Sequence, residues 1–417
     1  MNVPLRVLVV LPMYGGSLPI GRYCAKALES LGASVRLFEA PAFYSAFTGL
    51  KNLDLAPEQI PPLERSFLQV VSQAIFAHVQ TFEPHLVLAM AQAPMPKNLL
   101  TRLARLQIRT VMWFVEDYAL FQYWKLYAPL YSAFCVIQKD PFFSELSAIG
   151  QNTVLYLPLA ALPELHVHQE LSPEELKLYA SKISFLGAGY PNRRLAFRPL
   201  AGKDFKIWGS DWEGEEILAH NLQKKGERIS TEESLKVYSA TTVNLNLHSS
   251  VHLSSLVSHG DFVNPRTFEL ACMNAFQLVD NRTLLPELFT DDELVRFDSV
   301  DEMYALIDHY LRRPEERERF SRAARERVLR EHTYQHRMQT LLDFVAERLG
   351  YPDFARDSQK DASPLEKEIA ELVQRLNVGP RASFEEVVSR LRRQSGRLNP
   401  SELSLLFLDE WRRQYLR

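Results

Sequence analysis

Residues 259–281 read HGDFVNPRTFELACMNAFQLVDN. The stretch opens as a polar loop, passes Asn264–Pro265 and ends in an apolar run. Asn264 has the chemistry of an N-cap and Pro265 suits the first helical position, where a missing N–H costs nothing. RTFELACM continues as helix, and FQLVD reads as a buried strand. A loop that feeds a helix and then an apolar strand is half of a βαβ unit, so the expected sheet is parallel.

Outward from this stretch the alternation recurs. KISFLGAGYPNRR gives a strand over 183–186 that runs into the Gly187–Gly189 turn and an arginine pair. FKIWG follows as a strand, then STEESLKVYSA as a helix with Ser230 as N-cap and Glu233 completing a capping box. TVNLNLH and LVRFDS add strands on either side of the opening stretch, and helices run on to about residue 350. The first half behaves alike. LRVLVVL (5–11) is a continuous apolar run of the kind buried on both faces of a parallel sheet. An amphipathic helix over 20–31, a glycine stop at Gly32 and a strand over 34–38 complete a βαβ unit. Further strands are expected over 84–90, 110–117, 133–138 and 153–159. A Pro-containing segment (158–163) followed by the polar HVHQELSPEEL reads as a linker, and 351–364 as a second. Some 50 residues then read as short helices, with a capping box at Ser383–Glu386 and an N-cap at Asn399–Pro400. The expected organisation is α/β: two Rossmann-like doubly wound domains over 1–165 and 166–350, then a linker and helical tail over 351–417. That tail is expected to dock on the body, bind a partner or mediate oligomerisation.

Composition agrees with a globular protein of two domains plus an appendage. Of 417 residues 46% are hydrophobic and 24% charged, and the net charge is -3. Such a balance gives no global field for nucleic acid or an anionic surface. No apolar run reaches the roughly 18 residues of a membrane span. The first residues lead into a Gly-Gly turn and read as a strand rather than a leader. Three cysteines (Cys24, Cys135, Cys272), odd in number and far apart, point to a reducing, cytoplasmic setting without a disulfide framework or a cysteine metal site. His166 and His168 lack a third ligand nearby in sequence, so no metal is expected. The mixed-charge run 312–332 reads as a solvated helix face.

Several groups have the chemistry of a site. The helix from Pro265 directs its unpaired N–H groups toward the preceding loop, where an anion is favoured. Arg266, a cation at that positive end, is accounted for by an anion between them. Glu269, one turn on, can accept paired hydrogen bonds from the two hydroxyls of a ribose. A capped core helix with Arg266 and Glu269 solvated or paired is the equally open alternative. Arg193 and Arg194 follow a glycine turn at a strand end, where a guanidinium fork suits a pyrophosphate; a solvated pair at a helix start is the alternative. Gly15–Gly16 forms a possible backbone nest, although GGSLPIG misses the three-glycine dinucleotide spacing. Glu116 and Asp117 end a buried strand, where one could bind an acceptor hydroxyl or serve it as general base, and where capping of the following helix is an equally open role. His248 ends another strand and either faces the ligand or is a satisfied structural histidine.

NPRTFELACMNAFQLVDN resembles the nucleotide-binding segment of group-1 glycosyltransferases, closest to their spore-maturation, CgeB-like branch. FLGAGYPNRRLAFRPL with KIWGSDW resembles the opening of that family's second domain, and the similarity spans 182–349. The resemblance implies the GT-B architecture, in which two Rossmann domains close on a nucleotide diphosphate-sugar, of UDP type. It implies that Glu269 holds the ribose, and that Arg266, Asn264 and Thr267 at the helix start meet the diphosphate beside Gly187 and Gly189. Arg193 would neutralise the leaving group without a metal. Asp261 stands where retaining relatives carry a glutamate that contacts the donor sugar, and where that branch commonly has Gly this chain has Asn274 and Phe276. The expected function is glycosyl transfer, with retention implied. A non-catalytic nucleotide-sugar binder with a partner-binding tail is the alternative, and an epimerase acting on the nucleotide-sugar is a third reading.

Overall fold

The computed structural model describes residues 4–250, 256–257, 260–350, 371–376, 378, 383–394, 396 and 398–415. Its first sheet holds β1 (Arg6–Val10), β2 (Ser34–Phe38), β3 (Leu86–Met90), β4 (Arg109–Phe114), β5 (Ala133–Val136) and β6 (Val154–Tyr156) in the order β2-β1-β3-β4-β5-β6. Every pairing in it is parallel. Alternate residues feed two cores, as the pleat requires. Val7, Val9, Leu88 and Trp113 face one side, while Leu8, Val10, Val87 and Phe114 face the other.

The second sheet holds β7 (Ser181–Leu186), β8 (Phe205–Trp208), β9 (Thr241–Asn246), β10 (Gln277–Asp280) and β11 (Val295–Phe297), in the order β11-β10-β9-β7-β8. It too is parallel throughout. All eleven expected strands are therefore present. In both sheets the order reverses beside the first strand, between β1 and β3 and between β7 and β9. Ligands of open α/β sheets collect at the carboxyl ends of strands flanking such a reversal.

The first helix runs Ser17–Ser30, three residues earlier than its apolar spacing suggests. Gly15, with φ at 101°, turns the chain directly from β1 into that helix. Asn264 caps helix Pro265–Cys272 by accepting from the Thr267 N–H at 3.1 Å. The helix ends on Asn274, whose φ of 58° lies in the left-handed region that favours glycine and that asparagine tolerates. This accounts for asparagine where glycine was expected.

One core joins the two sheets. It runs from Val9, Leu88 and Trp113 to Phe268, Ala271 and Val279, and on to Tyr334, Met338 and Leu341. The last three belong to helix Tyr334–Leu349, which packs against Ser17–Ser30. Arg337 pins it there, donating from Nε to the Pro158 carbonyl at 2.7 Å and from Nη1 to the Glu331 carbonyl at 3.0 Å. The Tyr334 ring meets Trp113 and Tyr23.

Residues 352–417 form a separate compact unit. Within it Leu372, Leu376 and Leu391 make a small core. Helix Phe384–Arg393 is capped by Ser383, and helix Pro400–Tyr415 by Asn399, whose side chain accepts from the Glu402 N–H at 2.8 Å while Glu402 accepts from the Asn399 N–H at 2.7 Å. Among the described residues no helix is long and apolar enough to cross a membrane.

Candidate functional site

A cavity of about 330 Å³ lies between the two sheets, at the ends of their first strands. From the first sheet it takes Gly15 and Gly16 after β1, and Tyr23 from the helix that follows. From the second it takes Gly187 and Ala188 after β7, Gly209 and Ser210 after β8, and Arg266 and Glu269. The start of helix Thr231–Ala240 closes it with Ser230, Thr231 and Ser234.

Glu269 carries the clearest signal. Its side chain is 19% exposed and its carboxylate makes no hydrogen bond among the described residues; the nearest opposite group is His166 Nε2 at 3.8 Å. His166 Nδ1 accepts from the Leu162 N–H at 2.9 Å, so the neutral ring carries its proton on Nε2, toward Glu269. Burial lowers the His166 pKa, against the opposing pull of Glu269. The carboxylate lines the cavity, where the hydroxyls of a ligand can reach it.

One guanidinium, that of Arg266, stands at the other wall, and Arg193 lies outside the cavity lining. Arg266 lies 5.6 Å from the centre of the Phe185 ring and donates from Nε to the Tyr238 hydroxyl at 3.2 Å. Arg193 lies 5.0 Å from the same ring. It is buried and donates from Nε to the Leu247 carbonyl at 2.9 Å and from Nη1 to the Ala188 carbonyl at 3.0 Å. Its Nη2 makes no hydrogen bond among the described residues. Burial first, and then the Arg266 charge, push Arg193 down to about 9. The two like charges are close enough for each to disfavour the other's protonated form. Arg194 is occupied otherwise, donating to the carbonyls of Gly189 at 2.7 Å, Glu213 at 2.7 Å and Asp211.

The Gly187–Gly189 turn is built by close backbone approach. A Cβ on Gly189 would stand 2.2 Å from the Asp211 carbonyl oxygen, and one on Gly209 would stand 2.7 Å from that of Gly187. Only glycine lets the loops after β7 and β8 nest this closely.

Other candidates sit away from the cavity. Asn264 and Thr267 are buried beneath their helix in a polar ladder. Asn246 donates to Thr267 Oγ1 at 2.9 Å and to Gln277 at 3.0 Å, while Asn264 donates to Asn246 at 2.7 Å. His248 is buried with both ring nitrogens committed: Nδ1 stands 2.6 Å from Asp280, and Nε2 accepts from the Asn264 N–H at 2.9 Å. It holds the helix start instead of facing a ligand. Asp261 accepts from Gln138 Nε2 at 2.8 Å and from the Lys139 N–H at 3.1 Å, so it clasps the β5 loop and does not line the cavity.

Glu116 accepts from Gln92 Nε2 and, at 2.8 Å, from the Tyr123 hydroxyl. Burial raises its pKa, against those two hydrogen bonds. Asp117 accepts from the Ala119 N–H at 2.9 Å within its own turn. Both lie at the end of β4, outside the cavity lining.

This architecture, two parallel Rossmann-like sheets facing a cavity, is that of the GT-B glycosyltransferases. Sucrose-phosphate synthase of Thermosynechococcus elongatus superposes with a TM-score of 0.58 at 12% identity, over 83% of this chain and 99% of that one. HepE of Anabaena, in complex with UDP and glucose, gives 0.57 at 11% identity, over 83% of this chain and all (100%) of that one. Residues 193–343 match the family described as glycosyl transferase-like. The chain is a distant homologue of spore protein CgeB of Bacillus subtilis (strain 168), 22% identical over 258 residues, which are 59% of this chain and 78% of that protein.

Proposed function

We propose that the chain transfers a sugar from a nucleotide diphosphate-sugar of UDP type to a hydroxyl acceptor, without a metal. Residues 166–350 hold the donor and 1–165 the acceptor. The observation that carries this reading is the placing of Glu269 and Arg266 in one cavity with the Gly15–Gly16 and Gly187 turns. Ribose hydroxyls donate to that carboxylate. The diphosphate lies beside Arg266 and the Gly187 turn, with Arg193 behind. The UDP and glucose held by HepE support the donor class.

In the transfer, the acceptor oxygen bonds the anomeric carbon as its proton passes to a base. The bond to the diphosphate breaks with its electron pair going to the nucleotide. Arg266 and Arg193 supply the positive charge that the leaving group needs. Glu116 suits the base, because its burial brings the carboxyl nearer neutrality than an exposed one. Incubation with a donor panel tests the reading: free nucleotide appears with at least one donor, by transfer or slow hydrolysis. Binding without turnover would instead make the chain a nucleotide-sugar binder, and isomerised donor would make it an epimerase.

A further inference from the structure

A second cavity, of about 360 Å³, opens at the carboxyl ends of β1 and β3, where the order of the first sheet reverses. Its walls are rings and thioethers, among them Tyr14, Phe47, Met95, Met112 and Tyr127. Tyr14 lines this cavity while its neighbours Gly15 and Gly16 line the donor cavity, so one short loop borders both.

Polar chemistry gathers at one place. Gln92, with φ at 63° in the left-handed region, donates its backbone N–H to the Tyr123 hydroxyl at 2.9 Å and its side-chain amide to Glu116. The Tyr123 hydroxyl donates to Glu116 at 2.8 Å. Glu116 itself is outside the cavity lining, and the two residues it holds, Gln92 and Tyr123, are within it. A sugar needs donors and acceptors all round, and these walls do not offer them. Flat aromatic bodies suit tyrosine and methionine walls through offset stacking and sulfur–ring contacts.

Resting on the transferase reading above, we propose that this cavity binds the acceptor, and that the acceptor is a hydroxylated aromatic compound. Its ring lies among Tyr14, Met95, Met112 and Tyr127, and its hydroxyl donates to the hydroxyl oxygen of Tyr123, which Glu116 orients.

The probe is 2-naphthol, titrated calorimetrically into the full chain, with naphthalene, farnesol and glucose in parallel. Wild type binds 2-naphthol one to one. Ala93→Phe, which fills the cavity from its own lining, weakens this by roughly tenfold or more. Tyr123→Phe weakens 2-naphthol several-fold while leaving naphthalene unchanged. Stabilisation by UDP, measured on the same samples, persists in both variants. Equal 2-naphthol binding by wild type and Ala93→Phe overturns the proposal, as does tight binding of farnesol or glucose without 2-naphthol. Loss of UDP stabilisation in wild type with 2-naphthol still bound sinks the donor reading alone.

Discussion

The Nδ1–H of His248 donates to Asp280 Oδ1 across 2.6 Å, and the same oxygen accepts the His248 backbone N–H at 2.8 Å. The ring's other nitrogen receives the N–H of Asn264, so the neutral imidazole is built into the helix that carries Arg266 and Glu269. Burial pushes the His248 pKa down to about 4, against the pull of Asp280. His332 is also pushed to about 4, by burial and then by Arg337. A histidine with a folded pKa below its unfolded one binds fewer protons when native. Its contribution is complete above about pH 6.5 and is lost as pH falls toward 4. Each is expected to remove on the order of 2–3 kcal/mol over that window. Denaturant midpoints at pH 7 and pH 4.5 measure the loss. His248→Phe should be less stable at pH 7 and show a shallower pH slope; an unchanged slope would refute the assignment.

Glu269 is the residue on which donor affinity should turn. Replacing it by alanine removes a charge-assisted acceptor from two ribose hydroxyls, at a cost of about 1.5–3 kcal/mol in UDP binding. The fold should hold, because the carboxylate makes no hydrogen bond among the described residues. Calorimetry on a variant with a wild-type melting curve decides it. Undiminished affinity would remove the ribose from this position.

Arg193 carries two tasks, and substitution should separate them. Its Nε and Nη1 secure the Leu247 and Ala188 carbonyls, while its charge adds to that of Arg266. Arg193→Lys keeps a charge and loses the paired geometry. Turnover should fall by roughly 10²-fold while UDP affinity changes by only a few-fold, since leaving-group charge grows in the transition state. Equal losses in both would mark ground-state binding only.

Local chemistry was legible where partners are near in sequence. The Asn264 cap, the Pro265 start, Glu269 as an acidic residue on an apolar helix and all eleven strands follow from spacing and side-chain type. Partners set by topology were not. His166 was set aside with His168 as a poor metal pair, yet the chain brings it within 3.8 Å of Glu269, 103 residues away. Tyr23 and Tyr238 carry no motif and reach the cavity through packing. A signal for His248 was present: Asn244, Asn246 and His248 alternate along VNLNLH, the period of one polar strand face. Helix Pro265–Cys272 covers that face with Asn264 and Thr267. Strand-end position left a ligand residue and a structural one both open; the alternation points to a buried polar ladder.

Asp261 shows how a motif position can take other work. The expected role was a contact to the donor sugar, but both carboxylate oxygens are taken by Gln138 and Lys139 of the first sheet's β5 loop. Asp261→Ala leaves the Lys139 N–H and the Gln138 amide without their acceptor, at a cost of about 1–3 kcal/mol. The melting temperature should drop while UDP affinity of the folded variant stays within about twofold, because the residue lies outside the donor cavity. Gln138→Ala should weaken stability in the same direction, and the double variant should lose less than the sum, as expected for two ends of one contact. Thermal denaturation of the four proteins, with UDP calorimetry beside it, gives the test. A large loss of donor affinity in Asp261→Ala would return Asp261 to the sugar site, and strict additivity in the cycle would refute the Gln138 contact.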